Sequence, residues 1–150
     1  MKLAEALILR ADTQKRIANL RGRLLLNAQV QAGDTPSEDP ESLLRELDQA
    51  VASLIDLIQQ INRTNAATAV NGTTLAGLLA ERDAKKTQAD AYRDLLQAAA
   101  EKVDRYSTKE IAIVSTINVV AMQKRLDGLA KAIRGIDMKI QELNWLVEIA

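Results

Sequence analysis

The 150-residue chain has no cysteine, no histidine and no phenylalanine. Lack of thiols excludes disulfides and thiolate nucleophiles. Lack of imidazole excludes the usual general base and, together with the missing thiols, almost every zinc or haem site. The Glu-x-x-His pattern of di-iron bundles goes with them. Aromatic residues are confined to Tyr92, Tyr106 and Trp145. A core must therefore be assembled from Leu, Ile, Val and Ala, which suits helices packed along their lengths. No apolar run is long enough to span a bilayer. The opening stretch is broken by Glu5 and ended by Arg10, too short and too charged for the apolar region of a signal peptide. The chain reads as a soluble cytoplasmic protein of one domain, residues 1–150.

Catalytic signatures are missing as well. There is no phosphate-binding Walker loop, no dinucleotide fingerprint and no Gly-x-Ser-x-Gly elbow, and no histidine exists to activate a serine. Asp90/Asp94 and Glu81/Asp83 have the spacing of exposed helix positions. We therefore expect no enzyme activity, no cofactor and no metal.

What is present is helical periodicity. From Asn118 onward Val119, Met122, Leu126, Leu129, Ile133, Ile136, Ile140, Leu143 and Val147 recur in alternating steps of three and four, a heptad seam along a fourth helix with Asn118 as its cap. A second helix carries Leu44, Leu47, Val51, Leu54, Ile58 and Ile61 in the same rhythm, with Leu43, Ala50 and Leu57 widening one flank. It begins at Asp39-Pro40-Glu41, where Asp caps and Pro suits the first turn, and ends near Asn62. A first helix over 2–30 has Leu3, Leu7, Ile17, Leu20 and Leu24 on one face. A third runs from Leu75 to about Val103 through Leu78, Leu79, Ala89, Tyr92, Leu96 and Ala99. Before it, Asn71-Gly72 marks a β-hairpin within 64–74. The β-branched run 110–116 is assigned to a further short strand in preference to a helical turn. The expected fold is mainly α: a bundle of four long helices with a small β-hairpin or short strands at one end.

The formal charge is zero but unevenly spread. Residues 1–30 hold six basic and two acidic groups, residues 31–62 one basic and seven acidic. These segments are expected to pack as complementary neighbours, and no nucleic-acid binding is expected.

Three groups of residues are candidate sites. Arg10, Gln14, Arg21, Arg82 and Lys85 interrupt the seams of the first and third helices and would form a polar inner layer. Either they pair with carboxylates such as Asp48 and Asp137, or they hold an anion or small ligand. Asn62, Thr64, Asn65, Arg105, Tyr106 and Ser107 would cluster near the ends of the second and third helices as a polar junction. Finally, Met138 and Trp145, one heptad apart and opposite the fourth seam after Lys124 and Lys131, together with Gly128 and Gly135, suggest a homo-oligomer interface.

Several stretches taken in order, among them Leu3-Ala4-Glu5-Ala6-Leu7, Glu38-Asp39-Pro40, Ile61-Asn62-Arg63-Thr64-Asn65, Leu79-Ala80-Glu81-Arg82-Asp83, Asp104-Arg105-Tyr106-Ser107 and Ile140-Gln141-Glu142-Leu143-Asn144-Trp145, resemble the septicolysin-like family of small bacterial proteins, a domain of unknown function. The resemblance implies a helical fold and, through the family label, membrane activity as an alternative to a structural or interaction role. No catalytic residues come with it.

Overall fold

The structure, a computed structural model, describes residues 1–101 and 111–150. Four helices and one two-stranded sheet follow in the order α1 (Leu3–Leu26), α2 (Pro40–Ala67), β1 (Ala69–Val70), β2 (Thr73–Thr74), α3 (Leu75–Ala100) and α4 (Val119–Leu146). The fold is mainly α with a small antiparallel hairpin, as the periodicity predicts. The chain divides into two compact units, Met1–Ala76 with Glu142–Ala150, and Gly77–Gln141.

In the first unit α1 and α2 form a helical hairpin. α1 stops at Leu26, short of the expected residue 30, because Asn27 diverts the backbone. Its amide donates to the carbonyls of Arg23 and Leu24. Its side-chain Nδ2 donates to the Arg23 carbonyl at 2.8 Å, and its Oδ1 accepts from the Glu38 amide at 3.0 Å. An Asn side chain that competes for backbone groups favours a helix end over a helix interior. α2 starts where expected: the Asp39 carboxylate accepts from the amides of Glu41 and Ser42, and Pro40 occupies the first turn. It runs to Ala67, five residues past the expected end. Within this extension the Thr64 hydroxyl donates to the Gln60 carbonyl without breaking the helix.

The two helices meet along a seam that differs from the expected one. α2 buries Leu43, Ala50, Leu57, Ile61 and Thr64, with Leu47 and Leu54 half-buried between them. Leu43 and Ala50 cluster with Leu20 of α1, and Ile17, Leu24 and Leu47 pack against them. Leu44, Val51 and Ile58, expected in the core, fall outside this seam. Charge complementarity between the segments takes concrete form. Arg16 pairs with Glu46 at 3.5 Å, and Arg23 grips Glu38 with Nε and Nη2, the Nε–Oε2 distance being 3.0 Å. The guanidinium beside it holds the Glu38 carboxyl below the usual range.

The hairpin turn Val70-Asn71-Gly72-Thr73 has φ of 45° at Asn71 and 85° at Gly72. Positive φ at both central positions marks the type I′ turn that Asn-Gly favours, pairing Val70 with Thr73 and Ala69 with Thr74. Both chain ends close the same unit. Lys2 and Glu148 form an antiparallel bridge, the Leu3 amide donates to the Val147 carbonyl and the Ile149 amide to that of Met1. Glu148 pairs with Lys2 at 2.8 Å and with the terminal ammonium at 3.0 Å, and these cations lower its pKa.

In the second unit α3 and α4 share a core of Ala89, Leu96, Met122, Leu126 and Ile133, backed by Tyr92, Ile117 and Leu129. The expected α4 seam is the buried one, although Val119 at its start is exposed. The Asn118 Oδ1 caps the helix by accepting from the Ala121 amide at 3.0 Å. Arg125 lies 5.2 Å from the Tyr92 ring centroid and donates to the phenol oxygen at 3.1 Å, tying the two helices together. Within 111–117 no strand forms; the β-branched residues Ile111, Ile113 and Val114 are exposed in irregular backbone. The expected strand over 110–116 is therefore corrected for its described part: β propensity expresses itself only where a partner strand offers a ladder.

Candidate functional site

The residues of the expected inner basic layer divide between the two units, Arg10, Gln14 and Arg21 in the first and Arg82 and Lys85 in the second. Arg10 is half-buried on the α1 seam, but Gln14 and Arg21 are exposed. At 3.6 residues per turn the step from Arg10 places Thr13 on the seam, followed by Ile17 and Leu20. Thr13 satisfies its hydroxyl internally by donating to the Leu9 carbonyl at 2.8 Å. Arg82 and Lys85 are on the inner stripe of α3, both half-buried, and each is neutralised. Arg82 pairs with Asp83 at 3.0 Å and Asp137 at 3.4 Å, Lys85 with Glu81 at 2.7 Å. Of the two expected partners Asp137 takes part, while Asp48 is exposed on α2. Cations already matched by neighbouring carboxylates have little field left for a free anion.

Among the described residues of the expected polar junction, Thr64 is the buried one. Its hydroxyl accepts from the Ala150 amide at 3.1 Å while its carbonyl accepts from the amide and hydroxyl of Thr68. It fastens the end of α2 to the chain's last residues. Asn62 is exposed and Asn65 half-buried. Arg105, Tyr106 and Ser107 lie outside the described residues. Among the described residues no three acidic side chains converge as a metal site would require.

The outer positions of α4 are exposed as their spacing predicts: Met138 at 73% and Trp145 at 56%. Gly128 and Gly135 face open space, with no atom within 4 Å of an added Cβ.

The feature missed in the sequence is a second seam on α2. Glu41, Leu44, Asp48, Val51, Ile55 and Ile58 recur in steps of three and four, about a quarter turn around the helix from the buried seam. Leu44, Val51 and Ile55 are 39, 38 and 49% exposed. The signal was legible in the double run of apolar residues, Leu43-Leu44, Ala50-Val51 and Leu57-Ile58. A helix with two apolar stripes has two partners to find.

Each helical hairpin also carries a groove beside its core. In the first unit Leu9, Thr13 and Arg16 of α1 face Gln49, Ser53 and Asp56 of α2 across a groove of roughly 450 Å³. In the second, Lys86, Ala89, Asp90 and Arg93 of α3 and Ala130, Ile133 and Arg134 of α4 enclose roughly 420 Å³.

Comparison with known proteins places the chain in a family without assigning an activity. A family model described as a family of unknown function (DUF6847) matches residues 10–149. A solved structure titled as a functionally unknown conserved protein from Corynebacterium diphtheriae superposes with a TM-score of 0.93 at 41% identity, covering 100% of this chain and 99% of the other. No curated protein matches. The resemblance to the septicolysin-like family is thereby corrected: the succession of short polar motifs that suggested it belongs to a different family, and the expectation of membrane activity falls with the label. Among the described residues no helix is long and apolar enough to cross a membrane.

Proposed function

Because the chain belongs to this family of unknown function, membership brings no activity with it, and we propose from the geometry that it is a cytoplasmic, non-catalytic helical module that assembles with copies of itself. The second seam of α2 carries the reading. One apolar stripe of that helix is covered by α1, whereas the stripe of Leu44, Val51 and Ile55 stands open. Burial of such a stripe is the main driving force in helix association. The shifted carboxyls Glu38 and Glu148 owe their shifts to ion pairs that hold helices and chain ends together, a structural use that supports a non-catalytic role. Gly128, Gly135 and Met138 on α4 offer a second contact surface, as does Trp145 in the other unit.

Light scattering coupled to size exclusion tests the proposal. The wild type is expected to run above its 16.4 kDa monomer mass. Val51→Glu combined with Ile55→Glu is expected to reduce that mass with helical circular dichroism retained, since both positions are exposed in the single chain. An unchanged mass in a folded variant would contradict the role given to this stripe.

A further inference from the structure

We infer that the open stripe of α2 docks into the α3–α4 groove of a second copy; this rests on the self-assembly reading and names the surfaces that carry it. The groove has an apolar floor of Ala89, Ala130 and Ile133, two of them small enough to let a helix approach closely. Its rim is basic. Asp90 is taken up by Arg93 at 2.9 Å, and no ion pair engages Lys86 or Arg134 among the described residues. The rim therefore presents a net charge of +2. The open stripe presents the complement: Leu44, Val51 and Ile55 are interleaved with Glu41 and Asp48, both exposed and neither in an ion pair within the described residues. A second copy thus supplies what the groove lacks, an apolar helix face on which two carboxylates outnumber Arg45, the exposed cation between them. An amphipathic helix laid into an apolar groove is a recurrent mode of recognition, and opposite potentials across such a contact fix register and orientation. A reciprocal exchange, each α2 seated on the other copy's α3–α4 hairpin, would give a closed dimer. Failing closure, the same contact propagates head to tail.

Charge reversal tests the pairing with the full chain. Glu41→Lys with Asp48→Lys, and Lys86→Glu with Arg134→Glu, each convert attraction into repulsion. Each is expected to raise the dissociation constant at least about tenfold per contact, read by sedimentation velocity with folding checked by circular dichroism. An equimolar mixture of the two variants restores matched charges at every contact, so the mixture is expected to regain wild-type mass although neither variant does alone. Wild type that assembles while the Lys86/Arg134 variant assembles equally well would overturn this docking mode and leave self-assembly standing. So would two weakened variants that fail to complement each other. A wild type monomeric at all concentrations would overturn both and return the groove to a foreign acidic helix.

Discussion

Leu43 and Leu44 are neighbours in the chain and chemically identical, yet the structure assigns them opposite duties, which makes paired alanine substitutions a sharp test. Leu43 is 2% exposed and sits against Leu20 and Ala50, whereas Leu44 is 39% exposed on the open stripe. Truncating a buried leucine removes its transfer free energy and leaves a cavity, together about 3 kcal/mol. Truncating Leu44 removes a side chain that a single copy buries only in part, a loss of about 1 kcal/mol or less, partly offset by the better helix propensity of alanine. Urea denaturation at several protein concentrations separates the two. The Leu43→Ala loss is expected to be the same at every concentration. The Leu44→Ala loss is expected to be small on dilution and to grow as assembly contributes to stability. Equal losses in the dilute limit would mean that α2 packs through the other stripe, and the argument for an open seam would fail.

Other consequences follow from single positions. Gly72→Ala places a side chain at φ of 85° and is expected to cost about 1 kcal/mol in thermal or chemical denaturation. Gly128→Ala and Gly135→Ala, in open helical positions, are each expected to stabilise the monomer by up to about 1 kcal/mol; a fall in assembly instead would place a closely packed partner helix over them. Thr64→Val removes the hydroxyl that holds the Ala150 amide. It is expected to cost about 1 to 2 kcal/mol and to speed hydrogen exchange at Ala150; unchanged exchange would contradict the tether. Glu38 has a folded-state pKa lowered by Arg23, so its contribution is present above the unfolded-state value of about 4.3 and is lost as pH falls through the lower folded value. Glu38→Gln is therefore expected to flatten the acid limb of a stability–pH profile, and an identical limb would remove the pair from the account.

Local signals in the sequence translated directly into structure where one residue type answers one backbone demand. Asp39-Pro40 starts α2, Asn118 caps α4 and Asn71-Gly72 makes the I′ turn, because each satisfies amides or dihedrals within a few residues. The α4 seam was legible because its stripe has no apolar competitor beside it. On α2 the adjacent pairs Leu43-Leu44 and Ala50-Val51 fit two registers equally well, and only packing against Leu20 selects between them. The charge state of the basic positions was hidden for a related reason. Periodicity places Arg82 and Lys85 on the right stripe but does not reveal that Glu81, Asp83 and Asp137 are close enough to neutralise them. The strand expected over 110–116 relied on propensity alone, and propensity does not supply a neighbour.

Self-assembly is the central claim, and sedimentation equilibrium of the wild-type chain across a wide concentration range addresses it most directly. The weight-average mass is expected to climb above 16.4 kDa with concentration, towards twice that value if the contacts close reciprocally. A mass that stays at the monomer value throughout would contradict it.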